Sequence, residues 1–189
     1  MLVATVLYED KMQVGSGSSF PPHDLVLAMV ADLTGRTVWD LRPLVGKNPR
    51  NGVSKLIGDL KRTSLIAGSG TLCVLVDRDR VAEHLGLPKG ASETTVATVL
   101  HQRSDAPAKL SVHFLEPNME GLMHSIEECV PGQHAPRSKD HNARDLYLNR
   151  AAFALATSVR NCVKSKQPRI TILILKKAIK SVATAGATM

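Results

Sequence analysis

Aromatic residues make up only 3% of this 189-residue chain, which counts against a stacking platform for single-stranded nucleic acid, where ring faces supply much of the affinity. Cysteine is also scarce. Cys73, Cys129 and Cys162 are odd in number and widely spaced, so neither a disulfide framework nor a CxxC zinc site is suggested, and a reducing cytoplasm fits the usage. Long apolar runs are missing too: "LVLAMVA" and "ITILIL" fall well short of the roughly 20 residues that a membrane-spanning helix needs. The opening "MLVATVLYEDKM" lacks the basic start of a secretory leader. The expectation is a soluble cytoplasmic protein with no membrane attachment.

Several catalytic signatures are absent as well. There is no GxxxxGK[ST] phosphate loop, and "GSGSS" (15–19) shares only its glycine content with one. Seven histidines, among them His23, His113, His124 and His141, show no HExxH or paired metal spacing, so zinc chemistry is disfavoured. No GxSxG elbow occurs, and no cysteine has a base beside it. Trp39, followed by Asp40, reads as the edge of a core.

What is present begins with charge. The net charge is +7, yet no acid follows Asp145, and Arg150, Arg160, Lys164, Lys166, Arg169, Lys176, Lys177 and Lys180 lie beyond it. Those eight exceed the total, so residues 1–145 carry −1. A one-sided cationic tail attracts a polyanion, nucleic acid above all, or else forms a solvated helix face.

The hydrophobic pattern alternates strand and helix. "LVATVLY" (2–8) is a buried strand, 23–35 a helix stopped by Gly35, "RTVWDLRPLVG" a short strand ending near Pro43, and 48–68 a second helix. "TLCVLVD" (71–77) is another buried strand, "RVAEHLGL" a short helix, 92–103 a helix capped by Ser92, and 109–117 a strand alternating Leu110, Val112 and Phe114. A short helix near 118–130 and a long one over 139–164 follow. The final "PRITILILKKAIKSV" reads as strand by its β-branched run and as helix by Pro168 and its trailing lysines. Such alternation implies an α/β fold, a mostly parallel sheet flanked by helices, in a domain over 1–135 with a helical, basic extension over 136–189.

Ligands of such sheets collect beyond the carboxyl ends of the strands. Asp77 closes one strand, Asp79 points to the same side if the extended geometry persists, and Glu9 ends the first strand. Crowded carboxylates repel unless a cation or raised pKa values relieve them, and Mg2+, whose octahedral oxygen shell needs only two or three carboxylates and keeps positions for water and phosphate, is a natural answer. The competing reading has the aspartates capping the helix at "RVAEHL". Cationic residues stand near: Lys47, Arg50 and Lys55 around a helix start suited to phosphate, and Lys139 and Arg144 in "SKDHNARD", where ion pairing with Asp140 or Asp145 is the other use.

An acid directly after the first strand, followed by a strand of the type "CVLVDRD" and later by "EPNMEGLM", resembles the Toprim domain, the Rossmann-like module shared by topoisomerases, bacterial primases, small RNA maturases and overcoming-lysogenization-defect nucleases. The likeness covers roughly residues 2–125. It implies Mg2+-dependent phosphodiester hydrolysis of DNA or RNA, with Mn2+ able to substitute, Glu9 as general acid or base, Asp77 and Asp79 holding the metal, and Glu120, or less favourably Glu116, as a further acid. It also suggests a role in bacterial defence beside a separate ATPase. Asp10 replaces the usual glycine after the glutamate, adding a side chain at the metal site. The alternative is a non-catalytic Toprim-like module that binds nucleic acid or a partner protein such as an ATPase.

Overall fold

The structure, a computed structural model, describes residues 2–9, 21–50, 52–62, 69–115, 127–128, 134 and 179–184. Four strands, β1 (Leu2–Tyr8), β2 (Val45–Pro49), β3 (Ser69–Asp77) and β4 (Leu110–Leu115), form an all-parallel sheet in the order β2-β1-β3-β4. Between them run α1 (Pro21–Thr34), α2 (Val38–Leu41), α3 (Val53–Leu60), α4 (Arg78–His84) and α5 (Glu93–Arg103), with a 3-10 turn at Pro107–Lys109. This is the α/β arrangement that the alternating sequence pattern predicts.

The two faces of the sheet divide the core by the two-residue period of a strand. Ala4, Val6, Tyr8, Cys73 and Leu75 join α1 and α2 in one cluster, while Leu7, Leu72, Val74 and Val76 join α3, α4 and α5 in the other. Strands buried on both sides explain why β1, apart from Thr5, and β3 from Leu72 to Val76 are apolar in sequence. Seven consecutive buried residues in α1, Leu25 to Ala31, mean that this helix is covered on its outer side as well. Ile179 and Val182 of the helical stretch 179–184 belong to its cluster. The β-branched run before that stretch, on which the strand reading of the last segment rests, lies outside the described residues.

One close approach depends on glycine. A Cβ on Gly70 would lie 2.6 Å from the Val3 carbonyl oxygen, so only glycine lets the amino end of β3 lie against β1. Gly35 and Gly86, with φ of 66° and 69°, close α1 and α4 in the left-handed region that glycine enters without a Cβ penalty.

The strand expected to end near Pro43 is not formed. Residues Val38–Leu41 make α2, and the strand comes later, at Val45–Pro49. The cause is a capping box: Thr37 Oγ1 accepts from the Asp40 N–H at 3.2 Å, and Asp40 Oδ2 accepts from the Thr37 N–H at 3.0 Å. That exchange satisfies the helix start and overrides the β preference of Val38 and Trp39. Trp39 is accordingly not a core edge. It is 76% exposed, with the Arg42 guanidinium over its ring at 4.9 Å. The helix expected over 48–68 begins only at Val53, because Lys47 to Pro49 pair with β1. The helix expected over 139–164 lies outside the described residues.

Candidate functional site

The chain leaves β1 for β2 on one side and later enters β3 on the other, so the winding reverses between β1 and β3. At such a switch point the flanking connections diverge and open a crevice at the carboxyl ends of the two strands. Tyr8 is in register with Leu75, and the Glu9 N–H donates to the Leu75 carbonyl at 3.4 Å. Glu9 therefore stands on the rim of the crevice, beside the last residues of β3. Asp77 ends β3 on that rim.

Asp77 has a structural task there. Its Oδ1 accepts from the Asp79 N–H at 3.1 Å and caps α4. Partial burial raises its pKa; the N–H groups of Asp79 and Arg80 oppose that shift, the Asp79 charge adds to it, and the Arg80 charge opposes it. Asp79 does not share the side of Asp77. Extended geometry stops at Asp77, and Asp79, already in α4, is 75% exposed with its Oδ1 3.2 Å from Arg78 Nε.

Glu9 is the more unusual acid. Its side chain is only 5% exposed, and Oε1 lies 3.0 Å from Nη1 of Arg80, whose own side chain is 68% exposed. The contact has the geometry of an ion pair rather than of an aligned hydrogen bond. Arg80 is the residue that sequence reasoning overlooked. Its signal was the second arginine of "DRDR": once Asp77 is recognised as a cap, Arg80 falls in the first turn of α4, close to the strand ends. Arg80 also lines a cavity of about 450 Å³ beside the rim, together with Asp79, Glu83, Lys89 and an apolar wall that includes Leu87 and Pro88.

Of the cationic candidates, Lys47 lies on β2 opposite Val6, Arg50 follows β2, and Lys55 is exposed on α3. The Arg50 N–H donates to the Tyr8 carbonyl at 2.8 Å, which brings the backbone of Arg50 to the residue before Glu9. Its guanidinium, however, is engaged by the buried Asp59 carboxylate. Asp10, Glu116, Glu120, Lys139 and Arg144 lie outside the described residues.

Beneath the rim the fold holds neutral groups. His23 Nε2 donates to the Val45 carbonyl at 3.3 Å, which leaves Nδ1 to accept from the Tyr8 hydroxyl at 3.0 Å. Burial, seconded by the Lys47 charge, lowers the His23 pKa to about 4, while burial raises the Tyr8 phenol well above its usual range. The Cys73 thiol is pushed up to about 12 by burial and stays protonated, which removes it as a nucleophile.

The donor chemistry of the rim, hard carboxylate oxygens, fits a divalent cation of the magnesium type. Its present arrangement does not gather three such donors: among the described residues no group of three or more His, Cys, Asp or Glu side chains is placed to hold a metal ion. Among the described residues, Arg80 places a positive charge beside Glu9. No helix among the described residues is long and apolar enough to cross a membrane. No family model, no curated protein and no solved structure matches the chain.

Proposed function

We propose that this chain is a Toprim-like domain that hydrolyses phosphodiester bonds in DNA or RNA with Mg2+, Mn2+ being able to substitute. The observation that carries the reading is the position of Glu9 and Asp77 at the carboxyl ends of the two strands that flank the switch point of an all-parallel sheet. Asp77 and Glu9 would hold the ion; Asp79, turned away in α4 and 3.2 Å from Arg78 Nε, would not join them in this arrangement. When bound, Mg2+ would neutralise charge on the scissile phosphate and lower the pKa of the attacking water. Glu9 would serve as general base toward the attacking water, a task suited to a carboxylate shielded from solvent. Lys55, Lys139, Arg144 and the basic C-terminal segment would hold the nucleic acid backbone without reading its sequence. A cytoplasmic role in bacterial defence, beside an ATPase that supplies what this chain's motifs lack, fits that activity.

A second reading has its own observation. Asp77 caps α4 and Glu9 is neutralised by Arg80, so both acids have structural uses. On those grounds the domain is a non-catalytic module that binds nucleic acid or a partner protein.

Cleavage of labelled DNA and RNA with Mg2+ or Mn2+ separates the two. Asp77→Asn is the informative variant because asparagine caps a helix about as well as aspartate while removing the charge. Metal-dependent cutting that falls on the order of a hundredfold in Asp77→Asn, at unchanged circular dichroism, supports the nuclease. A wild type that binds nucleic acid with a steep salt dependence but never cuts it overturns the nuclease in favour of the module.

A further inference from the structure

We infer that Arg80 is a resident counter-cation of the rim and competes with a divalent ion for the carboxylate of Glu9, so that the crevice is latched whenever Arg80 holds Glu9. This rests on the metal-dependent reading above and adds its regulation. The Glu9 carboxyl is 5% exposed, where an uncompensated charge is costly, and Arg80 places a guanidinium nitrogen 3.0 Å from its Oε1. A divalent cation at the same oxygens would meet the guanidinium as a like charge. Both cannot be seated at full strength.

The same arginine has a second place to go. It lines the cavity of about 450 Å³ that Asp79 and Glu83 also line, and Glu83 lies three residues along α4, the spacing at which helical side chains meet. A rotamer change would carry the guanidinium from Glu9 to these two carboxylates while the backbone of α4 stays fixed. Its 68% exposure and the lack of hydrogen-bond alignment toward Glu9 make the move inexpensive. Arg80 is thus a positioning residue with two carboxylate destinations, one beside the oxygen a metal would use and one away from it.

The test measures Mn2+ binding by titration calorimetry on the full chain: wild type, Arg80→Gln, Arg80→Lys, Asp77→Asn, and Arg80→Gln in a Glu9→Gln background. Expected are at least fivefold tighter binding in Arg80→Gln and a smaller gain in Arg80→Lys, which keeps the charge on a more mobile stem. No gain is expected from Arg80→Gln once Glu9 is Gln, because the competition acts through that carboxylate. Mn2+ should also raise the melting temperature of Arg80→Gln more than that of the wild type, by mass action on the folded state. Unchanged or weaker Mn2+ binding in a folded Arg80→Gln, with Asp77→Asn still weakening the wild type, overturns the latch and leaves the metal site standing. Absence of Mn2+ binding in both wild type and Arg80→Gln overturns the latch and the metal-dependent reading together. Arg80→Lys keeps the question answerable if Arg80→Gln fails to fold.

Discussion

Asp59 and Glu9 are both carboxylates withdrawn from water beside arginines, at 6% and 5% side-chain exposure, yet they sit in different kinds of place. Asp59 is held by Arg50, itself only 29% exposed, with Arg62 at 3.7 Å. Both arginines flank α3, so the charges stitch a helix to the strand end that precedes it. Glu9 instead reaches from the end of β1 to α4, elements far apart in sequence, and its arginine is largely in solvent. A charge pair closed within one local unit fixes a conformation. One that spans a crevice, with a partner free to hydrate, leaves a carboxylate that can change partner.

The comparison can be broken by substitution. Asp59→Ala should cost about 3 kcal/mol, the low end for removing one member of a buried pair because Arg50 can reach some water; urea unfolding reads the loss, and Mn2+ binding should not change. A loss below about 1 kcal/mol would put Asp59 with ordinary exposed bridges.

The buried neutral histidine sharpens the comparison by acid. His23 is protonated more readily in the unfolded chain, with an ordinary pKa near 6.5, than in the fold, where burial holds it at about 4. Its contribution is therefore complete above pH 6.5 and is lost as pH falls toward 4, amounting to about 2 kcal/mol between pH 7 and pH 5. Urea midpoints across that window should fall in the wild type and fall less steeply in His23→Asn; parallel slopes would show that other groups govern the acid response.

Glu9→Gln should have the smallest effect on stability. Arg80 is already mostly hydrated, so loss of its partner should change unfolding by less than about 0.5 kcal/mol while weakening Mn2+ binding. A cost above about 2 kcal/mol would move Glu9 into the structural class of Asp59.

The sheet's central strands were legible in the sequence because burial on both faces makes most of β1 and Leu72 to Val76 of β3 apolar, and Gly35, Gly86 and Ser92 mark helix ends by their backbone chemistry. β2 was not legible. "VGKNP" is poor in strand-forming residues; it is a strand because β1 offers it an edge, where a terminal Pro49 is tolerated. α2 was hidden because Val38 and Trp39 favour strands, and only the exchange between Thr37 and Asp40 turns them into a helix. At the site, the positions of Glu9 and Asp77 followed from strand ends alone. The separation of Asp79 from Asp77 did not, since it depends on where the strand stops, and the role of Arg80 depends on the helix that begins there.

The exposed indole of α2 bears on how this molecule can be watched. Trp39 is the chain's sole tryptophan, and it lies in water, under Arg42, before the amino end of β2 and hence at the rim opposite Glu9. Its emission in the folded protein should already be red-shifted, so intrinsic fluorescence will register denaturation faintly and metal at the crevice hardly at all. An acrylamide quencher should reach it freely in the native state, and a partner that shields that edge would announce itself as a blue shift with reduced quenching.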